Sequence, residues 1–597
     1  MAFFITNDFL QNAKTRFQAI GSDYGLYSYQ CIASVSSFAR SELGTRLTKF
    51  VLGYTTMKCK LSINFPRLVV NGLSNFVFIL AGNPECAAQA TPTWQESYPP
   101  SQPPSRSSSS FPSFSSFDTV SPLSLASRRH PNTASPPRIP SIDPIFGLDT
   151  IISDLKSRKE KKKVETTYAQ FALYGKTFAS YPFGRRTITT CDPRNVQFIL
   201  STEAEKFGNA PVREATVSML GRGIINSDGE EWRRSRELVM PTFTRARIAE
   251  REGFERHVRR FLEGLRRRGE GGGGGGFEAI LDASSEFIFG ESFDSQLGDE
   301  HSIEGRDFLA AFADAQTVVG MRIAFGRLSY LMRDEKFRKY RQNCDLIRRY
   351  TMRHVERALE RQSMDGKKTE EDQGTYILVN ELVKETTDKA ALCDQLINVF
   401  FGGRDTPAVV LSNFFFLLAR NPKVWSRIRA EVEGLTADDL SFEKLKSLRY
   451  VQHSINESLR VLPMLPTIGR TCLAPTTLPY GGGPSGTLPI SVIPGDIISF
   501  SVYAMHRDAS IFGEDVEAFY PERWQNIRPF WNYLPFSGGA RHCPAQQLSL
   551  FWVSYVVVRM AMELAEVRNR DPVSEYVENL RLNMESGNGV KVALVRG

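Results

Sequence analysis

A chain of 597 residues, 41% hydrophobic and 11% aromatic, is long enough for several domains or one large catalytic domain, and apolar enough for a sizeable core. Its net charge of +8 suits an acidic partner or a membrane surface and by itself identifies neither. Eight cysteines without a C-x-x-C pair exclude a disulfide scaffold and a structural zinc site, and the seven histidines include no H-E-x-x-H.

The first 140 residues differ from the rest. Residues 1–95 form an atypical N-terminal region whose best apolar stretch, 68–82, contains Asn71 and Asn75. At about 15 residues it falls short of the roughly 20 needed to cross a bilayer. It reads as a re-entrant, interfacial or short tilted membrane-associated segment, or equally as a core helix. The first thirty residues carry no clear secretory signal. Residues 96–140 are rich in Ser and Pro, including Pro99-Pro100 and Pro136-Pro137, and read as a disordered linker. One reading of this anomaly is mis-joined sequence in 1–140, which sequencing of the transcript's 5′ end tests.

From Asp143 the pattern becomes regular. The basic run 156–163 suits anionic lipid headgroups or a solvated helix face. Gly175-Lys176-Thr177 lacks the upstream glycine of a phosphate loop. Alternation at 187–190 predicts a short sheet, after which helical patterns dominate. Asp228-Gly229-Glu230-Glu231-Trp232-Arg233-Arg234-Ser235-Arg236 opens a basic helix in which Trp232 and Arg236 share one face. Arg233 and Arg234, on other faces, suit docking of an acidic redox partner. The glycine run 271–276 reads as a surface loop, and 285–292 as a buried helix. G-x-G-x-x-G occurs in that run and at 481–486, where Pro484 marks a turn, so nucleotide binding and nucleic-acid partners are not expected.

A long helix is predicted over 388–420, with Gly402-Gly403-Arg404-Asp405-Thr406-Pro407 at its centre. Two glycines and a proline cost a helix several kcal/mol of propensity, so the conflict needs a reason. Pro407 has no N–H for the Gly403 carbonyl, which predicts a kink where water or dioxygen can lodge. Thr406 and Asp405 are then placed to relay protons. A kinked transmembrane or core helix is the bland alternative.

Glu457 and Arg460 are three apart on one helix face and can pair. Residues 476–483 and 489–496 read as turns and strands of a small sheet. Phe536-Ser537-Gly538-Gly539-Ala540-Arg541-His542-Cys543-Pro544-Ala545 presents one cysteine in a glycine-bearing loop ahead of a helix predicted over 546–567. The glycines let the backbone approach a flat cofactor, and Arg541 and the helix N-terminus favour a thiolate. Cys543 is therefore read as a metal ligand, against the alternative of a small buried hydrophobe.

Phe536-x-x-Gly539-x-Arg541-x-Cys543 resembles the haem-binding loop of the cytochrome P450 family. The same resemblance extends in order over 141–597, read as the haem domain. It takes in Gly402-Gly403-x-Asp405-Thr406, Glu457-x-x-Arg460 and Pro521-Glu522-Arg523-Trp524, and segments 285–292, 476–483 and 489–496 resemble the fungal alkane- and fatty-acid-hydroxylating branch. It implies a mainly α fold with a small β-rich region, haem as cofactor and Cys543 as axial thiolate. It implies that Phe536, Gly539 and Arg541 shape the haem loop, that Trp232, Arg236 and Arg470 bind haem propionates, that Asp405 and Thr406 deliver protons, and that Glu457, Arg460 and Arg523 form a buried network. Implied partners are O2, a lipophilic substrate, an NADPH-cytochrome P450 reductase and the endoplasmic reticulum membrane surface, with the catalytic domain facing the cytoplasm. The chain departs from the pattern at Ala545, usually glycine, and at Pro407, usually threonine or serine. A reductase-independent isomerase or dehydratase, and an inactive haem-binding relic, are the alternatives. Pocket residues are expected at 208–227 and 464–467.

Overall fold

A computed structural model describes residues 132–143, 146–245, 251–268, 278–300, 303–326, 329, 332, 334–364 and 376–596. The expected N-terminal region 1–95, its 68–82 segment, most of the linker and the glycine run 271–276 lie outside them.

The described chain is mainly helical. Helices α1 (Leu148–Lys159) and α2 (Lys163–Tyr174) precede strands β1 (Thr177–Ser180) and β2 (Thr187–Thr190). After β3 (Phe207–Gly208) come α3 (Ala210–Leu220), α4 (Gly229–Val239), α5 (Glu252–Arg268), α6 (Glu278–Phe289), α7 (Ile303–Phe325), α8 (Glu335–Met364) and α9 (Leu378–Glu385). Then follow α10 (Lys389–Gly403), α11 (Thr406–Arg420), α12 (Pro422–Val432) and α13 (Arg449–Val461). Strands β4 (Thr467–Cys472), β5 (Thr476–Gly482), β6 (Leu488–Val492) and β7 (Ile497–Ser501) lead to α14 (Gln546–Glu563). The chain closes with β8 (Leu564–Asn569), β9 (Glu578–Leu580), β10 (Met584–Ser586) and β11 (Val592–Arg596).

Local chemistry sets the element ends that matter for the site. Asp388 caps α10 by accepting from the Ala390 and Ala391 N–H groups at 2.9 and 3.1 Å. Pro422 opens α12 at a position where a missing N–H costs nothing. The largest sheet runs β1-β2-β7-β4-β3, with β2 parallel to β7 and the other neighbours antiparallel. It joins the start of the domain to its C-terminal half.

Two large apolar clusters hold the helices. One packs Phe254 of α5, Leu411 and Phe414 of α11, Trp425 of α12, Ile455 of α13 and Phe551 of α14. The other packs Phe308 and Phe312 of α7, Tyr350 of α8, Leu382 of α9 and Phe400 of α10. Among the described residues one helix, α7, is long and apolar enough to cross a membrane. A third of that window is buried, and Phe308, Phe312, Ala315, Val318 and Val319 belong to the second cluster.

Three boundaries differ from the sequence reading. The end of the expected linker, 132–140, is ordered: Ala179 N–H donates to Pro137 O (2.8 Å), Ile139 N–H to Ala179 O (2.9 Å), and Ala134 N–H to Pro489 O (2.9 Å). A proline-rich segment is extended by nature and can lend its carbonyls to a sheet edge, which composition does not reveal. The helix expected over 546–567 stops at Glu563; Leu564 and Val567 stay buried while their strand pairs with β11. The helix expected over 388–420 is two helices, broken at Arg404-Asp405.

Candidate active site

The cysteine loop is folded by its own backbone. Cys543 N–H donates to Phe536 O at 3.0 Å, and His542 N–H to Gly539 O at 3.2 Å. Gly539 has φ 66°, and a Cβ there would lie 1.9 Å from the Leu200 carbonyl oxygen, so only glycine fits. Cys543 is a half-buried free thiol. Burial pushes its pKa up, while the Ala545 N–H and the Arg236 charge pull it down.

That places the supporting cation differently from the sequence reading. Arg541 does not face the thiol: its Nη2 donates to Asp228 Oδ1 (2.8 Å) and Ser227 O (3.0 Å), and its guanidinium lies 4.6 Å from the Trp232 ring centre. Arg236, one helical turn from Trp232 on α4, donates to His542 O at 3.0 Å. Arg470 of β4 is buried, and its one side-chain hydrogen bond among the described residues runs from Nη1 to Gly469 O (2.9 Å). Burial and neighbouring Arg541 lower Arg470 to about 10, and Asp228 opposes that shift. Asp228, which the sequence reading did not single out, also accepts from Arg213 at 3.1 Å.

The break between α10 and α11 forms the second part of the site. Thr406 Oγ1 donates to Gly402 O at 2.5 Å. Asp405 Oδ1 is 3.2 Å from Arg404 Nε, and Arg404 Nη1 reaches Gln316 of α7 at 3.4 Å. A Cβ on Gly402 or Gly403 would meet nothing within 4 Å, so open space lies beside both glycines. The expected unpaired carbonyl of Gly403 is not unpaired. Ser284 of α6 donates to it at 3.3 Å. The signal in the sequence was a Ser-Ser pair inside a largely buried helix, and its partner lay too far along the chain to be read.

Glu457, Arg460 and Arg523 come together. The Glu457 carboxylate accepts from Arg460 Nε and Nη2, Arg523 Nε and Trp524 Nε1, each at 2.9 Å, and from Tyr520 N–H at 3.0 Å. Arg460 also donates to the carbonyls of His506, Val516 and Ala518. Trp524 is a member that the sequence reading missed.

The family model described as Cytochrome P450 matches residues 144–560. The chain belongs to the cytochrome P450 family. Similar proteins include Cytochrome P450 monooxygenase FPY7 of Fusarium mangiferae, 33% identical over 473 residues, covering 76% of this chain and 88% of the relative. Cytochrome P450 52A12 of Debaryomyces hansenii is 33% identical over 479 residues, covering 76% and 90%. Cytochrome P450 monooxygenase himC of Aspergillus japonicus is 33% identical over 470 residues, covering 76% and 82%. The chain is thus an oxygenase whose cofactor is haem, with iron held by a cysteine thiolate.

The residues of this P450 fit that group. Arg236, Arg470 and Arg541 gather near the cysteine loop, and the Asp228 carboxylate faces Arg470 and Arg541. A buried guanidinium with one carbonyl partner is costly unless an anion completes it, and haem carries two carboxylates. The absent side chain at Gly539 brings the loop backbone against Leu200 and leaves Cys543 at the start of α14.

Proposed function

We propose that this P450 inserts one oxygen atom of O2 into a C–H bond of a long aliphatic substrate, a fatty acid, an alkane or an alkyl chain of a secondary metabolite. The observation that carries this reading is the open space beside Gly402 and Gly403, bordered by the Thr406 hydroxyl and the Asp405 carboxylate. The likeness to the alkane- and fatty-acid-hydroxylating branch supports an apolar chain as substrate.

Cys543 is the iron ligand. The Ala545 N–H and the Arg236 guanidinium partly offset the burial that raises its pKa. Arg470, Arg541, Arg236 and Trp232 would hold the haem carboxylates, Arg541 doing so beside its partner Asp228. When bound, haem supplies the reductive activation of dioxygen. Thr406 Oγ1 donates its proton to Gly402 O at rest, and Asp405, held by Arg404, would take a proton from solvent water and pass it on toward the Thr406 hydroxyl. The Glu457, Arg460 and Arg523 network fixes the segments 506–524 against α13.

Electrons come from an NADPH-dependent reductase docking on exposed basic groups such as Arg233 and Arg234 of α4. The domain rests on the cytoplasmic face of the endoplasmic reticulum membrane. Exposed Ile142, Phe146, Leu148, Leu173 and Phe183, with Lys156 and Lys159 of α1 among them in sequence, support such a surface.

The test is the reduced carbon-monoxide difference spectrum of the expressed chain beside Cys543→Ala, followed by turnover of fatty acids and alkanes with reductase and NADPH. A thiolate-type Soret band lost in the variant, with NADPH-dependent hydroxylation, is the expected result. A band that survives Cys543→Ala refutes the ligand assignment. Turnover that needs a peroxide and no reductase replaces oxygen insertion by isomerase chemistry.

A further inference from the structure

We propose that Ser284 of α6 supplies the hydrogen bond that Pro407 cannot, and so keeps the break between α10 and α11 in the geometry that leaves the Thr406 hydroxyl on Gly402 O. Ser284 is thereby a positioning residue for Thr406. The proposal rests on the haem-monooxygenase reading above and concerns a residue to which that reading gives no role.

A serine buried in a helix ordinarily bonds a carbonyl three or four residues before it. Ser285 does so, donating to Asp282 O at 2.9 Å. Its neighbour Ser284, 1% exposed, donates instead to Gly403 O of α10, 119 residues further along the chain, at 3.3 Å. The backbone of the break explains why that carbonyl needs an outside donor. Regular bonding runs as far as Arg404 N–H to Phe400 O (3.0 Å) and is found again at Val409 N–H to Asp405 O (2.9 Å). Between them, Arg404 (φ −62°, ψ −57°) and Asp405 (φ −99°, ψ −25°) keep right-handed helical angles. An N–H at position 407 would therefore aim at Gly403 O, and proline has none.

That carbonyl matters to Thr406. A threonine hydroxyl in a helix can bond the carbonyl three or four residues back, here Gly403 O or Gly402 O. It takes Gly402 O, at 2.5 Å. With Ser284 donating to Gly403 O, the competing carbonyl is satisfied from another helix. Without Ser284, both carbonyls draw on the same hydroxyl, and water can enter the ladder at Gly403.

Helix α6 packs against both α10 and α11. At its C-terminal end Phe289 meets Phe400 of α10, with ring centres 5.6 Å apart. In its first half Ile280 and Ala283 share a cluster with Val410, Leu411 and Phe414 of α11. Ser284 lies between these contacts, so α6 crosses the break as a splint.

The test is a cycle of Ser284→Ala, Pro407→Ala and the double variant in the haem-loaded full chain, with Ser285→Ala as control. With reductase, NADPH and lauric acid as probe, Ser284→Ala should raise peroxide released per NADPH on the order of threefold while lauric acid affinity holds. On the Pro407→Ala background, which restores an N–H, the same substitution should leave the peroxide yield where Pro407→Ala alone puts it. Ser285→Ala should lower stability without raising peroxide; an equal rise there reduces Ser284 to a structural role and overturns the proposal. Thermal midpoints of the four chains of the cycle are the second measurement and need no turnover. Ser284→Ala should lower the midpoint by roughly 1–3 °C in the wild-type background and by less than half as much beside Pro407→Ala. Equal losses in the two backgrounds overturn the splint. Failure of the wild type to hydroxylate the probe with NADPH and reductase would count against the monooxygenase reading, and the midpoints would still decide the role of Ser284.

Discussion

Glu457→Gln tests the buried network most directly. The carboxylate is fully buried and receives five hydrogen bonds, three of them from two guanidinium groups. Glutamine keeps the shape but removes the negative charge and turns an NH2 group toward donors. Arg460, itself fully buried, is left as an uncompensated cation. Breaking such a pair costs about 3–5 kcal/mol. For a cooperative unit of roughly 450 residues the unfolding entropy near the midpoint is on the order of 0.9 kcal/mol/K, so the midpoint should fall by roughly 3–5 °C. The assay is thermal unfolding followed by circular dichroism, with Glu443→Gln as control, because Glu443 pairs with Arg245 at a site where both are about two-thirds exposed. The control should not move the midpoint measurably. Equal shifts in the two variants would refute the reasoning that burial makes this network costly to break.

Three further outcomes are expected. Gly539→Ala should lose haem content, read as the Soret to protein absorbance ratio, because its Cβ would meet the Leu200 carbonyl at 1.9 Å, whereas Gly589→Ala, with a similar φ of 70° and open space around it, should retain haem. Asp405→Asn should lower turnover on the order of 10²-fold and raise peroxide released per NADPH, with substrate binding unchanged; unchanged turnover and coupling would remove Asp405 from proton delivery. Stability should fall on acidification from about pH 6.5 toward pH 3. His506 is buried, its Nε2 accepts the Leu534 N–H at 2.9 Å, and burial followed by Arg460 and Arg507 lowers its pKa to about 3. Between those values the unfolded chain binds the proton and the folded one does not, so stability rises with pH at up to ~1.4 kcal/mol per pH unit. Removing the imidazole in His506→Phe should flatten that slope in pH-dependent melts.

The parts legible in the sequence are those where one short stretch carries its own reason. Cys543 with Gly539 announces a tight loop because positive φ and close approach are local demands. Gly402, Gly403 and Pro407 announce a broken helix because propensity conflicts with length, and the chain does break there. Glu457 and Arg460 pair because three residues span one helical turn. The strands 476–482 and 488–492 were legible from their turn between two apolar runs.

Tertiary structure decided every partner that lies far along the chain. That Ser284 closes the Gly403 carbonyl, that Arg236 and not Arg541 bears on Cys543, and that Asp394 and Asn398 hold the 220–228 loop depend on helices distant in sequence meeting in space. The same holds for 132–140, whose composition reads as disorder until the edge of β1 offers its backbone groups a partner. Local propensity and spacing operate over a turn or two of chain. Side-chain direction, burial and the satisfaction of buried polar groups are settled only when the elements pack.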